Sequence, residues 1–274
     1  NAKSTKSRAT SAQSAISRDE DVVSVHELMK GRSKSIPAVK KLDSKDKHGP
    51  AKTIAVVNQK GGVGKTTTTI SLGASLAELG RRVLLVDFDP QGSLSIGLGV
   101  VTDELESSIY NLLMDRNATV DDVLLKTSVP GMDLIPSDIM LSGAEIGLVN
   151  EVAREQTLKR ILATVAPDYD VILIDCQPSL GLLTVNALTA ADLVLVPLQC
   201  EYFALHGFIE LKGNIEKVKS FLNPELNLIG ILATMYEKKT LHNREVLTAI
   251  LEKYPEDVFE TIIAKTIRFS ETTV

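Results

Sequence analysis

The chain has 274 residues, of which 44% are hydrophobic and 24% are charged, and its formal net charge is −5. This is an ordinary globular composition, and no apolar run approaches the ~20 residues that a membrane-spanning helix needs. The polar start does not read as a signal peptide. The two cysteines, Cys176 and Cys200, have neither zinc nor disulfide spacing, which favours a reducing cytoplasm.

Charge is unevenly distributed along the sequence. Residues 1–52 contain twelve Lys and Arg against six Asp and Glu, whereas the remainder carries a net charge of −11. Residues 1–51 are rich in Ser, Lys and Ala and poor in aromatic side chains, which predicts a basic, largely disordered arm with one short helix at 22–30. Such an arm either contacts nucleic acid or an acidic partner, or acts as a solubilising tail.

From Lys52 onward, apolar strands alternate with helical segments. Continuous runs rich in Val, Ile and Leu are typical of parallel strands that are buried on both faces. The region 97–150 is less regular, with short helices predicted at 109–114 and 120–125. We therefore predict that residues 52–274 form one doubly wound α/β domain, with a mostly parallel sheet and a ligand at the carboxyl ends of its strands. Strands are predicted at 54–57, 83–86, 171–174, 193–196, 228–232 and 262–263, and helices at 65–79, 151–165, 180–191, 204–222 and 242–253.

A glycine-rich loop follows the first strand. Residues 60–66 read Lys-Gly-Gly-Val-Gly-Lys-Thr and lead into a predicted helix, which is the strand, loop and helix order of a phosphate-binding loop. Its backbone N–H groups and the helix N-terminus would point at an anion. Lys65 would reach the β- and γ-phosphates, and the Thr66 hydroxyl would bind Mg²⁺. The candidate nucleotide-binding residues are Lys60, Gly61, Gly62, Val63, Gly64, Lys65, Thr66 and Thr67.

Two further apolar strands each end in carboxylates. The run at 83–86 delivers Asp87 and Asp89, of which Asp89 is placed to orient an attacking water while Asp87 supports the site. The run at 171–174 ends in Asp175, as in a Walker B strand, and Asp175 would hold Mg²⁺ directly or through water. Asp170, just before that strand, is expected to be a surface turn residue. The candidate metal-site residues are Thr66, Asp89 and Asp175.

Together these motifs resemble those of the ParA/Soj partition ATPases, in the deviant Walker A class of P-loop NTPases. The resemblance covers 52–274 and rests on residues 58–69, 87–92, 141–145, 175–192, 197–202 and 234–236. It implies ATP and Mg²⁺ as cofactors, and an ATP-dependent homodimer in which Lys60 contacts the partner copy's nucleotide. It also implies weak hydrolysis that depends on Lys60 and Asp89, non-specific DNA binding, a ParB-like partner and a location on the nucleoid. Met235 is a weaker candidate for packing near adenine.

The sequence departs from that family at three places. Gln177 stands where relatives usually have proline, which removes one rigid φ from the switch segment, residues 176–181. Glu216 stands where relatives often have a DNA-binding arginine, and the sequence stops at Val274 where relatives continue, so we expect a truncated C-terminal end. DNA binding is therefore assigned to other basic residues, namely Lys212, Lys217, Lys219, Lys265 and Arg268.

Three other functions stay open at this point. A MinD-like membrane-cycling ATPase would need a C-terminal amphipathic helix, which these residues lack, so no stable membrane anchor is expected. An iron–sulfur reductase would need exposed cluster cysteines. A ParA-like scaffold that positions some other cargo cannot be separated from DNA segregation, because partners choose the cargo.

Overall fold

The structure, a computed structural model, describes residues 48–266; the predicted helix at 22–30 and Arg268 lie outside this range. Within it, alternating strands and helices cover most of the chain, as the apolar pattern predicts. The strands are β1 (Lys52–Val56), β2 (Val83–Phe88), β3 (Leu125–Lys126), β4 (Met132–Ile135), β5 (Val171–Cys176), β6 (Leu193–Gln199), β7 (Asn227–Tyr236) and β8 (Val258–Ala264). The helices are α1 (Lys65–Glu78), α2 (Ser93–Gly97), α3 (Ile109–Met114), α4 (Leu141–Gly147), α5 (Thr157–Val165), α6 (Leu182–Ala190), α7 (Ala204–Phe221) and α8 (Leu241–Lys253).

One sheet contains all eight of these strands, in the order β3-β4-β2-β5-β1-β6-β7-β8. Every neighbouring pair is parallel except β3 and β4, which are antiparallel. After β1, the chain forms β2 to β5 on one side of that strand and then β6 on the other side of β1. The segment that follows β1 therefore lies where the direction of winding reverses. Ligands bind at this position in open α/β sheets.

The central strands are buried on both faces. All six residues of β2 are buried; Leu84 and Val86 pack in one hydrophobic cluster, whereas Val83 and Leu85 pack in another on the opposite face. Because successive strand residues point to opposite faces, a strand between two helical layers reads as an uninterrupted apolar run. The predicted fold class, a doubly wound and mostly parallel α/β sheet, is confirmed.

The irregular region contains more structure than the sequence suggests. Residues 120–125, predicted as a short helix, form a 3-10 turn at Val120–Asp122 followed by β3. Strand β4 was missed because it has only four residues and includes Asp133. That carboxylate is accommodated because it accepts hydrogen bonds from the Tyr169 hydroxyl at 2.7 Å and from Lys126 Nζ at 2.8 Å. The helix predicted at 151–165 begins only at Thr157.

Asp170 is not the surface turn residue that the sequence suggests. Its side chain is 9% exposed. It accepts hydrogen bonds from His48 Nδ1 at 2.6 Å, from the Arg82 N–H at 2.8 Å and from the Gly49 N–H at 3.1 Å. Asp170 therefore joins the segment before β1 to the starts of β2 and β5.

No helix within residues 48–266 is both long and apolar enough to cross a membrane.

Candidate functional site

The glycine loop lies between β1 and α1, and two of its glycines have backbone angles that other residues rarely adopt. Gly62 has a φ of 73° and Gly64, the residue before α1, has a φ of 87°. A Cβ atom added at Gly61 or Gly62 would meet no protein atom within 4 Å. The surface over the loop is thus open, with its backbone accessible from outside, as a phosphate cradle requires.

Two polar side chains that the sequence analysis did not single out hold this loop in place. The Thr234 hydroxyl, at the end of β7, donates to the Val63 carbonyl at 2.8 Å. Asn58 donates from Nδ2 to the Pro197 carbonyl at 2.7 Å and accepts from the Lys60 N–H at 2.9 Å. The bonds to the Val63 and Pro197 carbonyls each join segments more than a hundred residues apart in sequence. Only their position at the carboxyl ends of apolar strands could have indicated them.

Lys65, Thr66 and Asp175 come together directly beneath the loop. Lys65 is buried and its Nζ donates to the Lys60 carbonyl at 3.3 Å; burial lowers its pKa, against the opposing effects of Asp175 and Asp89. The Thr66 hydroxyl donates to Asp175 Oδ2 at 2.6 Å. The structure therefore places an ammonium, a hydroxyl and a carboxylate at the start of α1.

One oxygen of Asp175 has no partner among residues 48–266. Asp175 is 1% exposed, and its Oδ1 is buried without a hydrogen bond. Burial raises the pKa of Asp175 to about 7, although the bond from Thr66 opposes this. Buried carboxylate oxygens are normally satisfied. A hard cation with oxygen ligands would satisfy this one, and Mg²⁺ needs few protein carboxylates because it keeps several waters. The donor set therefore fits Mg²⁺.

Asp87 and Asp89 have different surroundings. Asp87 is fully buried and accepts from the Ser95 N–H at 2.8 Å and from the Ser95 hydroxyl at 2.7 Å. Burial raises its pKa to about 6, and the Ser95 bonds oppose the shift. Asp87 thus anchors α2 to β2. Asp89 is half-buried and its Oδ1 accepts from the Gln91 N–H at 3.0 Å. Burial has the largest effect on the pKa of both Lys65 and Asp175, but Asp89 lies near enough to the site to act to raise both pKa values.

The first loop lysine does not point into the cradle of its own chain. Lys60 Nζ forms an ion pair with the Glu201 carboxylate, and the two side chains are 51% and 48% exposed. Ion pairs this exposed contribute little, about 0–1 kcal/mol. Glu201 was not among the predicted site residues. Thr67 is exposed on the first turn of α1.

Met235 adopts an unusual backbone conformation next to the loop. Its φ is 51°, one of two positive values among the non-glycine residues that the structure describes. The preceding residue, Thr234, is the one that holds Val63. A non-glycine residue held in this region points to a functional role, and its place beside the loop is consistent with the candidacy of Met235.

Three of the four candidate DNA-binding lysines have partners within the chain. Lys212 Nζ lies 3.0 Å from the Asp257 carboxylate and 4.8 Å from the centre of the Tyr254 ring. Lys219 donates to Asn227 at 2.8 Å, and Lys265 pairs with Glu237 at 2.6 Å. Arg268 lies outside the described residues. The assignment of these side chains to DNA binding stays a prediction.

Elsewhere in residues 48–266, the structure does not form a second site of this kind. A cavity of about 290 Å³ lies between α3 and α5, away from the glycine loop. Between His48 and Thr266, no group of three or more His, Cys, Asp or Glu side chains could hold a metal ion. Cys176 and Cys200 are both buried, and burial raises the pKa of each thiol.

Comparison with known proteins gives consistent relatives. A family model described as an AAA domain matches residues 51–228. The chain is 56% identical over 227 residues to an uncharacterized protein of Mycobacterium tuberculosis, covering 83% of this chain and 71% of that protein. It is 48% identical over 220 residues to the sporulation initiation inhibitor protein Soj of Bacillus subtilis, covering 80% of this chain and 87% of Soj.

Among solved structures, a similar one is from Mycobacterium smegmatis and is described as cobyrinic acid a,c-diamide synthase with a bound ATP analogue and magnesium. The TM-score is 0.75 at 46% sequence identity, and the match covers 79% of this chain and 88% of that chain.

Proposed function

Since the chain belongs to the ParA/Soj family of partition ATPases, we propose that it binds and slowly hydrolyses ATP with Mg²⁺, and that nucleotide state controls its dimerisation and DNA binding. The observation that carries this proposal is the unpartnered Asp175 Oδ1 beside the Thr66 hydroxyl, under an open glycine loop. The metal ion would supply positive charge to the Asp175 carboxylate, and the triphosphate would supply negative charge to the Lys65 ammonium.

The chain's own residues divide the work of binding. The loop N–H groups and the N-terminus of α1 face the phosphates, and the Lys65 ammonium neutralises their charge. Thr66 and Asp175 would hold Mg²⁺, and the ion would offset the negative charge that develops on the phosphates. Asn58 and Thr234 keep the loop rigid, so that little ordering is needed when nucleotide enters.

Hydrolysis and dimerisation are assigned to Asp89 and Lys60. Asp89 would orient the attacking water, because it borders the site and is half-exposed. In the dimer, Lys60 would leave Glu201 and contact the partner copy's phosphates, as an arginine finger does. Leaving an ion pair with half-exposed partners costs only about 0–1 kcal/mol, so the new contacts readily outweigh it.

The proposal extends to partners and location. The ATP-bound dimer binds non-specific DNA and works with a ParB-like protein to segregate a chromosome or plasmid, in the cytoplasm on the nucleoid. A dimer doubles any basic patch, which strengthens phosphate contacts and makes them dependent on salt. Positioning of another cargo by the same cycle is the alternative within this proposal.

Amide synthesis is a second candidate because of the name given to the Mycobacterium smegmatis chain. Release of ammonia from glutamine commonly uses a cysteine thiolate. Burial raises the pKa of both Cys176 and Cys200, which disfavours their thiolates. We therefore favour the partition ATPase.

The test is ATP turnover and DNA retention by the purified protein. Turnover should require Mg²⁺, and DNA should be retained with ATP but not with ADP, with retention weakening steeply across a salt series. Lys65→Ala should reduce turnover by about a hundredfold or more, whereas Lys159→Ala, on the exposed face of α5, should match the parent.

Three results would contradict the proposal: no Mg²⁺-dependent turnover, equal DNA retention with ATP and ADP, or retention on acidic lipid vesicles instead of DNA. The last of these would favour a membrane-cycling ATPase.

A further inference from the structure

Glu145 connects α4 to both ends of the segment that follows the Asp175 strand. Its Oε1 accepts a hydrogen bond from Gln177 Nε2 at 3.2 Å and another from the Leu183 N–H at 3.3 Å. Gln177 lies two residues after Asp175, and Leu183 lies in the first turn of α6. One carboxylate oxygen thus bridges the two ends of the loop that connects β5 to α6.

The N-terminus of α6 depends on this contact. Its N-cap, Gly181, has no side chain that could cap the helix. The Glu145 carboxylate supplies the missing acceptor from another element, at the end of the helix where negative charge is favourable. A Cβ atom at Gly181 would lie 2.2 Å from Glu145 Oε1, so a side chain there would displace the carboxylate from these contacts.

Gln177 contributes two of the contacts in this arrangement. A proline here would fix φ but would lack both the side-chain amide and the N–H group. Gln177 instead donates from its N–H to the Phe88 carbonyl at 3.3 Å and from its side chain to Glu145. Two hydrogen bonds therefore restrain Gln177, at the position where the family usually has proline.

We infer that Glu145 is a positioning residue for ATP hydrolysis, which holds residues 177–183 so that the chain leaves Asp175 in one direction. The inference rests on the proposed function. Asp175 is fixed to Thr66 on one side and to Gln177 through the chain on the other. Loss of the Glu145 contacts frees the second side, and small displacements of catalytic groups reduce rates strongly.

The test compares Glu145→Ala with Glu145→Gln. The alanine variant should lower kcat for ATP by about tenfold while ATP affinity stays within about twofold, because the glycine loop is untouched. The glutamine variant keeps a carbonyl oxygen that can accept both bonds, and should restore most of kcat. Hydrogen exchange at the Leu183 amide should be faster in nucleotide-free Glu145→Ala than in the parent.

A double-mutant cycle tests the contact itself. Gln177→Ala should lower kcat less than Glu145→Ala, since the Leu183 bond remains, and the double variant should be no slower than Glu145→Ala alone. Glu252→Ala, on the exposed side of α8, is the matched control and should behave as the parent. Strictly additive losses would contradict a direct contact.

The failures can be told apart. If the parent hydrolyses ATP but Glu145→Ala has an unchanged or higher kcat, or unchanged exchange at Leu183, the inference is wrong and the proposed function stands. If the parent shows no Mg²⁺-dependent turnover, the inference and the proposed function are both wrong.

Discussion

At the scale of single residues, Asp175 is the most informative side chain. A buried carboxylate that lacks a partner for one oxygen destabilises the nucleotide-free protein, so a bound cation is the simplest reason for a fold to keep it. Asp87, its neighbour in register across β2 and β5, shows the contrast. Asp87 is equally buried, but Ser95 satisfies it, and it anchors α2 rather than facing a ligand.

Asp175→Asn is predicted to remove the Mg²⁺ dependence of ATP binding. The amide places a neutral group where the cation needs a negative oxygen, so ATP affinity with Mg²⁺ should fall by about tenfold or more, or ~1.4 kcal/mol. Titration of a fluorescent ATP analogue, with Mg²⁺ and with EDTA, measures this. Asp192→Asn is the control. Asp192 lies just before β6, at the edge of the sheet opposite to the nucleotide site, so this variant should alter only thermal stability. Retention of the full Mg²⁺ effect in Asp175→Asn would contradict the metal assignment.

The sequence predicts local features of the site better than its remote contacts. The glycine loop and the strand that ends in Asp175 could be predicted, because spacing and strand–helix order define them locally. Thr234, Glu201 and Glu145 could not, since their partners are distant in sequence and only the sheet order brings them near. Met235 was singled out from the resemblance alone, whereas its positive φ appears only in the structure.

At the scale of elements, α1 docks on the sheet through Gly73. A Cβ atom at Gly73 would lie 2.8 Å from Leu85 Cδ2 and 3.1 Å from Met132 Sδ. Gly73→Val is therefore predicted to lower the free energy of unfolding by about 1–3 kcal/mol through overpacking. Gly213→Ala is the control, because nothing lies within 4 Å of its Cβ position in α7. It should stabilise the protein by about 0.5–1 kcal/mol. Urea unfolding measures both; equal effects would contradict this packing.

Asp170 ties the segment before β1 to β2 and β5, and this contact should be lost in acid. Burial acts to raise the pKa of Asp170, but the hydrogen bonds from His48, Arg82 and Gly49 outweigh it and the pKa is lowered. The stabilisation is therefore present above the ordinary aspartate pKa of about 4 and is lost as pH falls through the lower folded value.

The matching prediction is that Asp170→Asn is less stable than the parent by about 1–3 kcal/mol at neutral pH, and that the difference shrinks below about pH 4. Thermal melts from pH 7 to pH 3 measure the two proteins side by side. A difference that stays constant over this range would contradict the role of the carboxylate.

Most long elements could be predicted from the sequence, and so could the short helix α3 at Ile109–Met114, but the two shortest strands could not. The runs that became β2 and β5 are apolar throughout because both faces are covered, and periodicity identifies such runs. Strands β3 and β4 have two and four residues, so their pairing depends on the sheet rather than on their own pattern. The start of α5 was misplaced because residues 151–156 form a turn and then a 3-10 helix at Arg154–Gln156, with a φ of 54° at Ala153 that a continuous α-helix cannot contain.

At the scale of the whole molecule, the proposed function depends on a second copy. In the single chain, Lys60 is held by Glu201 at the rim of the loop, and the basic candidates Lys212 and Lys265 are paired with acidic side chains. In one copy, these three lysines are therefore held by carboxylates of their own chain. Dimerisation would bring Lys60 to a second triphosphate and would place two sets of DNA contacts side by side, which explains why ATP, rather than sequence-specific base contacts, would control DNA retention.

The most direct test of this account is the molar mass of Asp89→Ala by light scattering with ATP and Mg²⁺, since slow hydrolysis should preserve the ATP state. We predict twice the 29.6 kDa chain mass, reduced to a single chain mass when Lys60→Ala is added. As the control, Glu201→Ala added to Asp89→Ala should still form dimers. A monomer in Asp89→Ala with ATP, or dimers that survive Lys60→Ala unchanged, would contradict the account.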